Sequence, residues 1–119
     1  MLEQMHCQVV QTDYERIDDV ILESYANEVP TWDCVAVGSV PHLQKMFVFT
    51  HEHEVMMFTC ELMALAKSEA HQPEIICLPD QVKVMWWTHN IAELHINDFI
   101  MAAKTDGIFE KIQKYSYLQ

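Results

Sequence analysis

The stretch Leu65–Leu78, LAKSEAHQPEIICL, changes its hydrophobic period halfway along, and that change decides the fold. Upstream of it, Val55, Phe58, Leu62, Leu65 and Ala66 recur at helical spacing, which predicts a helix over Glu52–Glu69. Downstream, Glu74–Leu78 (EIICL) is a short apolar run of strand length, and Pro73 pushes the residue before it toward extended backbone. His71 stands at the junction. A histidine there can neutralise the negative end of the helix, bind a metal or move a proton.

The same reading extends in both directions. Val82–Trp87 (VKVMWW) is a second apolar run, and Pro79-Asp80 between the two suits a turn, so 74–87 reads as a hairpin. An earlier hairpin is predicted from the alternating Trp32–Val37 (WDCVAV) and from Leu43–Phe49 (LQKMFVF), which places Leu43, Lys45, Phe47 and Phe49 on one face. Gly38-Ser39-Val40-Pro41 joins them. Thr12-Asp13-Tyr14-Glu15 has the form of a capping box and predicts a first helix from about Asp13 to Tyr25, stopped by Asn27 and Pro30. A last helix opens at His95 or Asn97, with Gly107 placed as its stop; the tail IFEKIQKYSYLQ either extends it or packs separately. The order α-β-β-α-β-β-α predicts an α+β fold, one antiparallel sheet with helices on one face.

With 119 residues the chain is expected to be a single domain over 1–119. No apolar run approaches the roughly 20 residues of a membrane span, and the first residues carry no targeting pattern, so the expectation is a cytoplasmic protein without membrane contact. Seven basic against 18 acidic residues give a net charge of −11, which opposes direct binding of nucleic acid. Cys7, Cys34, Cys60 and Cys77 lack CxxC spacing and are expected to be buried free thiols.

The Glu52–Glu69 helix is apolar on two sides. Met56, Met57, Cys60, Met63 and Ala64 form a second face, leaving a polar sector around Glu54, Glu61 and Ser68. A second copy of the chain is the expected cover.

Among the histidines, His51 and His53 read as a solvated helix start, with Thr50 as its cap, rather than as metal ligands. His6, His42 and His95 read as surface or loop polarity. His71 and His89 bracket the second hairpin, whose ends meet, and alternation puts His89 on the face of Met85 and Trp87. Spacing alone leaves two readings of His71 open, a helix-end cation or one member of a pair at the hairpin mouth.

Several short elements narrow the choice when taken in order: Phe47-Val48-Phe49, Leu65-Ala66-Lys67, His71-Gln72-Pro73-Glu74, Val82-Lys83-Val84, Thr88-His89, Leu94, Asn97-Asp98-Phe99 and Ala102-Ala103. Together they resemble the pterin-4a-carbinolamine dehydratase family across residues 30–106. The resemblance implies a four-stranded antiparallel sheet backed by three helices, and dimers or tetramers, the latter built through the central helix. It also implies dehydration of 4a-hydroxytetrahydropterin, the carbinolamine left by aromatic amino acid hydroxylases, to quinonoid dihydropterin. In that chemistry His71 and His89 exchange protons near neutral pH, where histidine titrates, and neither metal nor organic cofactor is required. Gln72, Pro73, Thr88 and Asp98 are the implied substrate-binding or supporting residues.

The chain departs from the family at defined places. Gln72 replaces the second histidine of a His-His-Pro motif and cannot titrate. Pro79, Ile75 and Lys67 stand where family members often carry two aromatics and an acid. An alternative reading is a non-catalytic relative that serves as a protein-binding cofactor or assembly factor.

Overall fold

A computed structural model describes residues 1–11 and 17–118, with side chains described as far as Tyr115. After a short 3-10 turn at Leu2–Gln4 come helix α1 (Asp19–Ala26), strands β1 (Asp33–Val37) and β2 (Val40–Val48), and helix α2 (Glu52–Glu69). Strands β3 (Glu74–Cys77) and β4 (Gln81–Trp86) and helix α3 (Ile96–Leu118) complete the chain. The four strands form one antiparallel sheet in the order β1-β2-β4-β3, so the two hairpins meet through β2 and β4. This is the α+β arrangement expected from the sequence, with the three helices on one face.

Register explains the core. Leu43, Lys45 and Phe47 of β2 stand opposite Trp86, Val84 and Val82 of β4, and all of these but Lys45 are buried under the helices. Phe58, Leu62 and Ala66 from α2 and Ile100, Met101 and Ile112 from α3 close over them. Trp86 satisfies its indole by donating to Thr105 Oγ1 at 3.1 Å. Lys45 keeps its charge on the same face by reaching Asp106 at 2.7 Å, where Trp32 Nε1 also donates. On the opposite face of the sheet Val37, Met46, Val48 and Ile76 remain exposed in the single chain. No helix among the described residues is long and apolar enough to cross a membrane.

Local expectations were met where local groups decide. The bounds of α2 are those predicted, but its cap is His51 rather than Thr50: Glu54 reaches back to accept from the His51 N–H at 3.0 Å. That reciprocal bond buries Glu54, so it does not belong to the polar sector assigned to it. Helix α1 begins later than expected, capped by Asp18, whose carboxylate accepts from Val20 N–H at 2.7 Å. The Thr12–Glu15 capping box lies outside the described residues.

Gly107 does not stop α3, which runs on through the tail. The N-terminal turn lies against the helix here, and a Cβ at this position would meet only the end of the exposed Glu3 side chain, which can swing aside. Leu2 is buried there, and Lys104 Nζ donates to Glu3 O at 2.9 Å. The cysteines are free as expected but not buried: Cys34, Cys60 and Cys77 are exposed and Cys7 is half-buried.

Candidate active site

Helix α2 ends in a residue forced into left-handed backbone, Ala70 with φ 52°. The turn is closed by His71 N–H donating to Ala66 O at 3.1 Å, a bond spanning five residues that ends helices in this way. An alanine in this conformation costs about 1–2 kcal/mol. Its effect is to send the chain back over the helix end and to aim His71 inward, where its ring stacks on Trp86 at 5.7 Å.

The partner of His71 comes from α3. His71 Nε2 lies 2.7 Å from Asp98 Oδ1, and the other carboxylate oxygen accepts from Thr88 Oγ1 at 2.8 Å and from His95 N–H at 2.9 Å. Asp98 is 0% exposed, so its two oxygens are satisfied by these three partners instead of by water. Two roles coincide in this one side chain. Asp98 closes the first turn of α3 through the His95 N–H and also holds His71.

Pairing of β3 with β4 begins with Glu74 opposite Met85, and His71 and Thr88, just beyond the paired residues, are joined through Asp98. The structure therefore brings His71, Thr88 and Asp98 together. His89 lies one residue further on, exposed, and stacks on Trp87 at 4.1 Å with the rings nearly parallel. His42 covers Trp87 at 4.0 Å, giving an indole that contacts imidazoles at His42 and His89. Gln72 is exposed and Pro73 half-buried at the start of the hairpin.

Two histidines, His42 and His95, differ from their expected surface roles, and His6 keeps its own. His42 is buried, its Nδ1 2.8 Å from Val40 O. His6 is exposed but paired with Glu69 at 2.7 Å. His95 is buried beside the His71–Asp98 pair, and its Nδ1 accepts from Asn97 N–H at 3.2 Å. Burial pulls its pKa below the ordinary histidine value; Asp98 opposes this and nearby His71 adds to it. The only hint in the sequence was its spacing of three residues from Asp98, which marks a helix start. His51 and His53 stack on each other at 5.5 Å on the exposed start of α2.

A cleft of about 580 Å³ opens beside His71, Thr88 and Asn97. The N-terminal residues His6–Val10 line its other side, a contribution that no motif announced. Burial raises the Glu69 carboxyl at its rim, but bonds from Cys7 N–H and His6, with the charges of His6 and Lys104, hold it below the usual carboxylate range. Burial, then the negative charges of Glu69 and Asp98, push the Cys7 thiol up to about 12, so it stays protonated.

Known proteins share this chain's sequence and architecture. The profile of the family described as "Pterin 4 alpha carbinolamine dehydratase" matches residues 15–108. A protein of Saccharophagus degradans named "Putative pterin-4-alpha-carbinolamine dehydratase" is 38% identical over 109 residues, 92% of this chain and 96% of the relative. A Nitrosococcus oceani protein of the same name is 37% identical over the same shares. A solved structure, "transcriptional coactivator/pterin dehydratase from Brucella Melitensis", superposes with a TM-score of 0.71 at 20% identity, over 79% of this chain and 98% of that one, a likeness of fold. Matched over most of its length by the profile and by both relatives, the chain belongs to the pterin 4 alpha carbinolamine dehydratase family.

Proposed function

We propose that this enzyme dehydrates 4a-hydroxytetrahydropterin to quinonoid dihydropterin in the cytoplasm, with His71 and His89 as its proton carriers. The observation that supports the reading most is the wholly buried Asp98 bonded to His71 and Thr88. A carboxylate accepts only, so His71 carries its proton on Nε2, and Nδ1 is left as the acceptor of a ring that lines the cleft.

The reaction removes the N5 proton and expels the 4a hydroxyl with a second proton as water. His71 Nδ1 takes the N5 proton. His89, exposed and therefore in exchange with solvent, delivers the proton that lets the hydroxyl leave. Gln72 replaces a titrating histidine with an amide that orients the pterin by hydrogen bonds. A homo-oligomer fits the outer face of α2, where Met56 and Met63 are 65% and 49% exposed in the single chain.

The test is steady-state dehydration of freshly formed carbinolamine, corrected for the reaction in buffer. His71→Ala and His89→Ala are each expected to lower turnover about a hundredfold, the usual contribution of a general acid or base, whereas His51→Ala and His53→Ala leave it unchanged. Gln72→His changes turnover only modestly. Wild-type protein no faster than buffer, with activity gained only in Gln72→His, would replace this reading by that of a binding protein.

A further inference from the structure

The N-terminal residues His6–Val10 have no regular secondary structure, yet they are bonded at almost every position. The Glu69 carboxylate accepts from Cys7 N–H at 2.7 Å and pairs with His6 Nδ1 at 2.7 Å. The Asn97 amide grips both backbone groups of Gln8, accepting from its N–H at 2.9 Å and donating to its carbonyl at 2.7 Å. Asn90 Nδ2 donates to Val10 O at 2.7 Å. These bonds cross 62 to 89 positions of sequence.

Such bonding does not serve the core. Val9 is 89% exposed, and the N-terminus is already anchored by buried Leu2 and by Lys104 on Glu3. The pins are nevertheless placed where burial makes them matter: Asn97 is 1% exposed, and only 8% of the Glu69 side chain is exposed. They also sit beside the proposed chemistry. Glu69 lies two residues before His71, and Asn97 directly precedes Asp98. A segment fixed by polar bonds to the elements that carry the His71–Asp98 pair, and lining the same cleft as His71 and Thr88, is built to hold something in the cleft.

We propose that His6–Val10 is a strap forming one wall of the substrate site, and that Glu69, Asn90 and Asn97 are positioning residues that hold this wall against the bound pterin. This rests on the dehydratase reading and extends it to a segment outside the family's motifs. Pterin binding and strap closure are then linked: a ligand between strap and His71 holds the strap down, and a loosened strap binds the ligand less well.

Two measurements on the full chain test this. In a Cys34→Ser, Cys60→Ser, Cys77→Ser background Cys7 is the sole thiol, and its rate of alkylation by iodoacetamide reports strap opening. Dihydrobiopterin, used as a non-reacting pterin, is expected to slow that rate severalfold, and Asn90→Ala, which frees Val10 without touching the groups that set the Cys7 thiol, to raise it. In steady-state dehydration, Glu69→Ala and Asn90→Ala, both outside the core, are expected to raise KM, the former about tenfold, while kcat stays within about threefold. Glu69→Gln, which keeps the acceptor for Cys7 N–H, restores most of the loss. Turnover by the wild type with unchanged KM in the alanine variants, or Cys7 alkylation indifferent to pterin, overturns the strap's role alone. No turnover by the wild type overturns the dehydratase reading and the strap's role with it.

Discussion

Replacing Asp98 by asparagine turns one carboxylate oxygen into an NH2 group at a site with three fixed donors around it. The outcome can be worked out from what each donor is able to do. The His95 N–H is a backbone group that can only donate, at 2.9 Å, and it shares Oδ2 with the Thr88 hydroxyl. The new amide must therefore keep its oxygen on that side and turn its NH2 toward His71. His71 can adapt because its two neutral tautomers are close in energy: Nε2 becomes the acceptor and the proton moves to Nδ1. The ring then offers a donor where the proposed mechanism needs an acceptor.

The number of hydrogen bonds is conserved, and only their charge assistance is lost. Asp98→Asn should cost about 1–3 kcal/mol of stability, part of it offset because a buried charge is removed, which leaves a folded enzyme. Turnover should fall about a hundredfold or more, since each 1.36 kcal/mol of lost transition-state stabilisation is worth a factor of ten. The assays are dehydration of fresh carbinolamine and long-range 1H–15N NMR of the His71 ring, which reads the tautomer directly. Turnover within about threefold of wild type, or a ring that keeps its proton on Nε2, refutes the argument.

Two further outcomes follow from the structure. Burial holds the His95 pKa below the ordinary 6.5, so between pH 6.5 and the folded value the unfolded chain takes up a proton that the folded chain does not; stability therefore falls as the pH drops through that window, by up to about 1.4 kcal/mol per unit. Urea denaturation from pH 7.5 to 3 should show this slope in wild type and a flatter one in His95→Asn, with a separate decline in both below the usual carboxyl value of 4.5 as Glu69 protonates; equal slopes in the upper window would count against the assignment. Met63→Glu places a charge on the exposed outer face of α2 and should lower the mass seen by light scattering at micromolar concentration. An unchanged mass, or a monomeric wild type, would remove α2 as the interface.

The sequence by itself determined the elements whose signals are local. Helix α2 is found at its predicted bounds because its period, its acidic first turn and the Pro73 beyond its end all act within a few residues. The second hairpin is legible for the same reason: two short apolar runs flank Pro79-Asp80, and alternation puts Val82, Val84 and Trp86 on one face, which the helices then bury. The ordered motifs also pointed to the family, since they preserve types and spacings along the chain.

What tertiary structure decided involves groups brought together from distant positions. Gly107 looks like a helix stop, yet α3 runs straight through it with the turn at Leu2–Gln4 laid alongside. His95 and His42 carry no local mark of burial; α3 and the sheet supply it. His71 meets Asp98 from 27 positions away, Thr88 bonds the same carboxylate, and His89 is left stacked on Trp87. Period and propensity report only how a residue relates to its chain neighbours. A buried carboxylate finds its three donors, and a coil segment its pins, only after loop closure has paired surfaces that share no sequence signal.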